Sequence, residues 1–273
     1  MHVLVCVKMV PDTTLVQIDP VTNTLIREGV PFITNPFDTH AVEAALGLKD
    51  RYGAHVTVIS MGPPSAEAVL RKALAIGADN AILLSDRMFG GADTLATSFV
   101  LSEAIKKIAQ DHPVDLVFCG MQTIDGDTAQ VGPGIACRLN YSQLTLVDAI
   151  QEIDEGAKTL RVRRKLETYY EVVETTLPAL ITVVREINMP RYPTVPGRLG
   201  ADTRLIPIWS NEVMKLDRNR IGLNGSPTAV RRIFAPKRDK GEIVEATGEQ
   251  IASVVQTMVQ KIEEWDIVSF DQD

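Results

Sequence analysis

The chain has 273 residues, 45% hydrophobic and 23% charged, enough for one sizeable core with a smaller appendage, which excludes a fibrous or broadly disordered protein. A net charge of −7 argues against general attraction to phosphate backbones, so no nucleic-acid partner is expected. Cys6, Cys119 and Cys137 have no C-x-x-C spacing and suggest neither a disulfide framework nor a zinc site; no stretch approaches the roughly 20 apolar residues that span a bilayer, so a soluble, cytoplasmic protein without membrane insertion is expected.

HVLVCV (2–7) reads as a first strand, too short for a signal peptide's apolar core and followed by Lys8 and Pro11. A helix follows from Asn35 to Gly53. Asn35 stands in the capping position, Pro36 supplies a fixed φ, Asp38 complements the positive end of the helix dipole, and Gly53 closes the last turn. HVTVIS (55–60), NAILL (80–84), VDLVFC (114–119) and PALITVV (178–184) repeat the short apolar run of the first strand, without strict alternation. Such runs suit strands covered on both faces.

Helical period fills the intervals. One helix runs from about Ser65 to Gly77 with Ala68, Val69, Ala73 and Ile76 for packing, and another from Asp93 to Gln110 with Leu95, Phe99, Ala104, Ile105 and Ile108 inward. A further helix spans about Thr128 to Leu139. TLRVRRK (159–165) and YYEVVETT (169–176) predict an antiparallel hairpin added to the sheet's edge, with Arg161, Arg163 and Lys165 on one face as a solvated edge or a surface for an acidic partner. INMPRYPTVPGRLGA (187–201) reads as a surface loop, because Pro190, Pro193 and Pro196 forbid a continuous helix or a central strand. From about 207 to 247 the chain has little periodicity, and a final amphipathic helix covers GEQIASVVQTMVQKIEEW (248–265). The fold class is therefore α/β, a doubly wound, mostly parallel sheet with an added hairpin and an extended C-terminal arm ending in a helix. An arm so long and irregular is expected to lie on a partner.

The stretch GMQTIDGDTAQVGPGIA (120–136) sits where a parallel sheet binds ligands, past a strand's C-terminal end and before a helix. Gly120, Gly126, Gly132 and Gly134 permit close backbone approach, and the amides near Thr128, Ala129 and Gln130 suit a phosphate. The stretch matches neither G-x-G-x-x-G nor G-x-x-x-x-G-K-[ST], and it reads equally as a tight strand-to-helix connection. Asp125 and Asp127 could take Mg²⁺, although solvated turn aspartates are the simpler reading, and no metal is expected. SMGPP (60–64) and SDRMFGGADT (85–94) bring further glycine loops to the same rim, with Cys6 beside them. His2, His40, His55 and His112 lack ligand spacing and read as surface or strand-end residues, no G-x-S-x-G elbow is present, and the cysteines read as buried and inert.

VCVKMVPDT near the start, NPFD at 35–38, SMGPP, QTIDGDTAQVGP and LPALITVVREINMPRYPTVP resemble, in order across roughly residues 1–200, the β subunit of an electron transfer flavoprotein. Arg164, Glu167, Glu171 and Pro178 meet part of that family's hairpin signature, which Thr168 and Tyr169 depart from. The resemblance implies an adenine nucleotide alpha hydrolase-like domain (1–206) whose C-terminal arm (207–273) wraps an FAD-carrying α subunit. It places Cys6, Asn35, Pro36, Phe37, Asp38 and Met61 around an adenosine, and Thr123, Ile124, Asp125, Gly126, Asp127, Thr128, Ala129, Gln130, Val131, Gly132, Pro133 and Gly134 around its phosphates.

Residues 183–205 match the loop that docks into acyl-CoA dehydrogenases or related flavoenzymes, with Arg191, Tyr192, Thr194 and Pro196 around an apolar anchor at Val195. SDRMFGGADTLATS and IDGDTAQVGPG resemble the flavin-bifurcating subgroup, which binds a second FAD where the common subgroup holds structural AMP. In that subgroup Gly91, Ala92, Asp93 and Thr94 help hold FAD, and the rim from Arg87 to Gly91 faces NADH. In that subgroup the electrons are divided between ferredoxin or flavodoxin and the α-bound FAD, so the resemblance implies an electron-transfer subunit of an oxidoreductase complex. Two other readings share the architecture. A stand-alone adenine-nucleotide-binding protein of the universal-stress type needs no arm, and an ATP-dependent ligase or pyrophosphatase needs an S-G-G-x-D-S motif that this sequence lacks.

Overall fold

The computed structural model describes residues 1–12, 31–230, 243–245 and 247–265, together with the backbone of 17–18 and 25–26. Residues 231–242, 246 and 266–273 of the expected arm lie outside the described residues. The chain divides into two units, Met1–Ile233 and Phe234–Asp273.

In chain order the first unit begins with β1 (His2–Cys6), β2 (Met9–Pro11), the short β3 (Gln17–Ile18) and β4 (Leu25–Ile26), and β5 (Phe32–Thr34). Then come α1 (Pro36–Tyr52), β6 (His55–Met61), α2 (Glu67–Ala75), β7 (Asn80–Leu84), α3 (Thr94–Asp111), β8 (Leu116–Gly120) and α4 (Val131–Leu139). β9 (Ser142–Asp154), β10 (Thr159–Lys165), β11 (Tyr170–Thr176), β12 (Ala179–Val183), α5 (Val195–Thr203), β13 (Ile208–Trp209) and α6 (Asn211–Met214) complete it. The second unit holds α7 (Gln250–Glu264), whose Ile251, Val255, Met258 and Ile262 recur at helical spacing.

Nine strands form one sheet in the order β11-β10-β9-β12-β8-β1-β6-β7-β13. From β9 to β13 every neighbouring pair is parallel, and only β10 runs against its neighbours. The apolar runs lack alternation because both faces are covered. Val3 and Val5 pack with Ala41, Ala45, Val69 and Leu70 of α1 and α2, while Leu4 and Cys6 pack with Val100, Ile105 and Ile135 of α3 and α4. The chain leaves β1 toward β6 and β7 on one side and returns to β8 and β12 on the other. The winding therefore reverses between β1 and β8, the switch point at which a wound sheet leaves a crevice at the C-terminal ends of its strands.

Several expectations are corrected. β9 has no counterpart among the expected strands: its register slips against both β12 and β10, Leu146 has a positive φ of 58°, and these bulges erase the alternation that marks a strand. The RVRRK strand is not a solvated edge, since β11 is the edge. Arg163 instead pairs with the buried carboxylate of Asp148 at 2.8 Å, Arg161 with Glu152, and Lys165 with Glu186.

Ala68 and Leu95 face solvent, and α4 starts three residues later than expected. The 187–201 stretch contains a helix, α5. Pro196 lies in its first turn, where the missing N–H costs nothing, and Thr194 caps it by accepting from Gly197 N at 3.1 Å. Residues 208–230 belong to the first unit, with Ile208 and Trp209 in register with Leu83 and Leu84 of β7.

Candidate functional site

The crevice is built by the first turn of α1. Asn35 does not cap its helix with its side chain. Its amide instead reaches across to the segment after β8, with Nδ2 donating to Gln122 O at 2.9 Å and Oδ1 accepting from Ile124 N at 3.2 Å. Asp38, 5% exposed, accepts from Lys8 N at 2.7 Å and from Gly120 N at 3.1 Å. Lys8 follows β1 and Gly120 ends β8, so one carboxyl joins the two strands where they part. Phe37 lies under the guanidinium of Arg185, 4.6 Å from its ring centre.

Beyond Gly120 the chain folds back on itself, with Asp127 N donating to Thr123 O at 2.9 Å and Gln122 Nε2 to Asp127 Oδ1 at 2.9 Å. Lys8 Nζ binds Asp125 at 2.8 Å and offsets its charge. Asp127 and Ala129 have positive φ values of 50° and 54°, a conformation non-glycine residues adopt only when held. Gln130, in the helical region, leads into α4 without a side-chain cap, so the Val131 N–H at the head of the helix has no partner within it. Thr94 Oγ1 donates to Gln130 Oε1 at 2.9 Å and ties the start of α3 to this turn.

The glycines have a different role from the one expected. A Cβ at Gly120 would lie 2.6 Å from Phe37 Cβ, at Gly132 2.6 Å from Thr182 Cγ2, and at Gly134 2.8 Å from Ser98 Oγ. These three allow the protein's own elements to close on one another, and only Gly126 has room around it, with Thr123 Oγ1 at 3.3 Å. The features suited to an anion are the amides of Ala129 to Val131, on exposed or half-buried residues before the buried Gly132. N–H groups at a helix start, beside Thr94 and Gln130, suit a diphosphate.

Asp93 caps α3, accepting from Leu95 N and Ala96 N, and takes Thr228 Oγ1 at 2.9 Å; burial would raise its carboxyl, but these donors hold it below its ordinary value. Gly91 packs against Leu223, and Asp86 accepts from Asn211 N at 2.9 Å, so the 85–94 rim is braced by the segment after β13. Gly91 and Asp93 thus face the protein's own chain. Cys6 and Cys119 are buried side by side on β1 and β8, and their mutual hydrogen bond, with burial, pushes the Cys119 thiol up. Cys137 is exposed on α4, contrary to expectation. Met61 ends β6 and packs in the α3–α4 layer. His2 and His55 open β1 and β6, at the opposite end of the sheet.

Residues 189–205 present Met189, Tyr192, Val195, Leu199 and Leu205 to solvent, with Tyr192 92% and Val195 74% exposed. Arg191 points the other way, held by Glu43 at 2.9 Å and Asp50 at 2.7 Å on α1, which lift its guanidinium further above its ordinary range. Lys8, Gln122 and Arg185 do not stand out in the sequence as site residues. Lys8 has one local signal, a cation directly after a buried strand.

A family model described as the electron transfer flavoprotein domain matches residues 22–213. The chain is 50% identical over 249 residues to the protein FixA of Azotobacter vinelandii, covering 90% of this chain and 89% of that one. It is 50% identical over 256 residues to the electron transfer flavoprotein subunit beta of Clostridium acetobutylicum, covering 93% and 96%. It is 50% identical over 270 residues to the caffeyl-CoA reductase-Etf complex subunit CarD of Acetobacterium woodii, covering 98% and 100%. With the family model covering most of the doubly wound sheet and such relatives spanning nearly the whole chain, this protein belongs to the electron transfer flavoprotein family, as a chain of its β-subunit type.

Proposed function

We propose that the chain pairs with an FAD-carrying α subunit and itself holds an FAD in the crevice between β1 and β8, taking electrons from NADH and dividing them between ferredoxin or flavodoxin and the α-bound FAD. The observation that carries this reading is the turn from Asp127 to Val131, where two non-glycine residues with positive φ lead into an uncapped helix start at the reversal of the sheet. Its amides would hold the diphosphate, Thr94 and Gln130 would flank it, and Cys6, Phe37 and Met61 would line the adenosine side. A bound flavin supplies two-electron acceptance and one-electron release, chemistry that no side chain offers.

The chain's own residues do the rest. Asn35 and Asp38 hold the loop, and the exposed Arg87 on the rim gives a nicotinamide dinucleotide's phosphates a cation. The stiff, apolar tip at Tyr192 and Val195 docks an acyl-CoA dehydrogenase or similar flavoenzyme, with Arg191 anchoring it from behind. The apolar stripe of α7 serves the clasp on the α subunit. The name of the CarD relative, a subunit of a reductase–Etf complex, supports assembly with such partners.

The second reading is a non-bifurcating β subunit with AMP in the same crevice, which the same amides would hold by its single phosphate. Nucleotide analysis of the chain purified with its α subunit tests both. Two FAD per heterodimer is the expected result; one FAD with one AMP would overturn the bifurcating reading.

A further inference from the structure

β1 and β8 are paired up to Val5 and Phe118. Beyond that point β1's chain turns toward Ile59 and β8 toward β12, with Val7 N donating to Ile59 O at 2.9 Å and Val183 in register with Gly120. The amides of Lys8 and Gly120 have thereby lost the ladder that would join them, and Asp38, from a third element, takes both. Asn35, three residues earlier, grips the same loop on each side of Thr123. The polar atoms of both side chains are turned to the protein's own backbone.

We propose that Asp38, braced by Asn35, is a positioning residue: its carboxyl splints the parting strands and fixes the shape of the loop after β8, so that the crevice's affinity for an adenylate-bearing anion falls as the solution turns alkaline through neutrality. This rests on the reading of the crevice as an adenylate site. The direction follows from linkage. Burial, the dominant influence, pushes the Asp38 carboxyl up to about 7, against the bonds from Asn35, Lys8 and Gly120 and the charge of Lys8. An opened loop returns Asp38 to water and to an ordinary carboxyl, so each lost proton favours opening.

The other titratable groups around it are accounted for. Cys6 and Cys119 bond to each other, Lys8 Nζ is engaged by Asp125, and His40 on the next turn of α1 bonds Asn188. Gly120 belongs to the same device, because a Cβ there would strike Asp38 Oδ1.

The test titrates the full-length chain with FAD, whose diphosphate does not itself titrate near neutrality, from about pH 6 to about pH 8. Hydrogen exchange over residues 116–130 is followed in parallel without FAD. The wild type is expected to weaken by about threefold to tenfold across that range, with rising exchange in the loop once the intrinsic rate is corrected. Asp38→Asn, which offers one amide an acceptor and the other a donor, should bind about tenfold more weakly with no pH slope. Asn35→Ala should raise exchange at Ile124 while keeping the slope, which covers the case of an unfolded Asp38→Asn.

A wild-type loop whose exchange ignores pH, an Asp38→Asn chain that keeps affinity and slope, or unchanged exchange in Asn35→Ala would overturn the splint. Absence of FAD binding at every pH, with pH-dependent exchange that Asp38→Asn abolishes, would leave the splint standing and remove the adenylate site.

Discussion

The two ends of β1 bury polar groups in different ways. At the start, His2 is enclosed, yet every neighbour answers it: Nε2 lies 2.9 Å from Thr57 Oγ1, Nδ1 faces His112 O, and its backbone N–H donates to Asp115 at 2.8 Å. Asp79 does the same beside it, taking Val56 N and the ammonium of Lys49. Past the other end, Asp38 is satisfied, but the chain it holds retains open amides at the head of α4 and two non-glycine residues with positive φ, each costing about 1–3 kcal/mol. The closed end adds to stability, whereas the open end spends some of it on a shape that a ligand can complete.

The largest effect expected from disturbing this contrast is at Gly120. Its φ is unremarkable, so the requirement for glycine is purely spatial: an added methyl would strike the Asp38 carboxyl and stand only 2.8 Å from the backbone C of Phe37, which cannot yield. Gly120→Ala should cost about 3 kcal/mol in denaturant unfolding and release Asp38 from its splint. Gly126→Ala, six residues on, should cost well under about 1 kcal/mol, because only the hydroxyl of Thr123 must turn aside. Equal losses at the two positions would mean that the loop, and not its contact with α1, sets the fold of the crevice.

Much of this is legible in the sequence where the cause is local. Asn35-Pro36 starts α1 and Gly53 ends it with φ 66°, because chain stiffness and left-handed freedom belong to the residues themselves. What Asn35 and Asp38 bond is not legible. Asp38 as a partner for the helix dipole is the local reading, and only the fold shows that Gly120, 82 residues away, supplies its donor. The hairpin of β10 and β11 is readable from two adjacent apolar strips, but β9 between them and the core is not, since its bulge at Leu146 scrambles the period. β13, with two residues, carries no pattern at all, and it is placed by pairing with β7. The clustered glycines are legible as a constraint, yet their neighbours, and hence their purpose, come from other elements.

A middle-sized effect belongs to the closed end. Burial, reinforced by the charges of His55 and His112 and opposed by the bond to His112 O, holds the His2 imidazole below its ordinary value. The folded chain then binds fewer protons there than the unfolded one, so this contribution is complete above about pH 6.5 and is lost as pH falls toward the folded pKa. Asp38 has the opposite sign, its contribution present in acid and lost as pH rises toward about 7. His2→Gln, which can still reach Thr57 but does not titrate, isolates the first. The stability gap between wild type and His2→Gln should move against the wild type as pH drops from about 7 to about 5. A gap that ignores pH would show that His2 is protonated alike in both states and that the closed end is no more than a packing arrangement.

The smallest effect probes the strain at the open end. Ala129 holds φ at 54° with an exposed side chain, so Ala129→Gly removes the clash between Cβ and backbone while touching no neighbour. The relief of about 1 kcal/mol is partly offset by the greater freedom glycine gives the unfolded chain, which leaves a net gain of about 0.5 kcal/mol in urea unfolding. Nucleotide affinity should move the other way, because the amides of residues 129–131 would no longer be pinned before the ligand arrives. A variant that gains stability and affinity together would show that the strained turn does nothing to organise the crevice, and that its positive φ is an incidental result of how β8 meets α4.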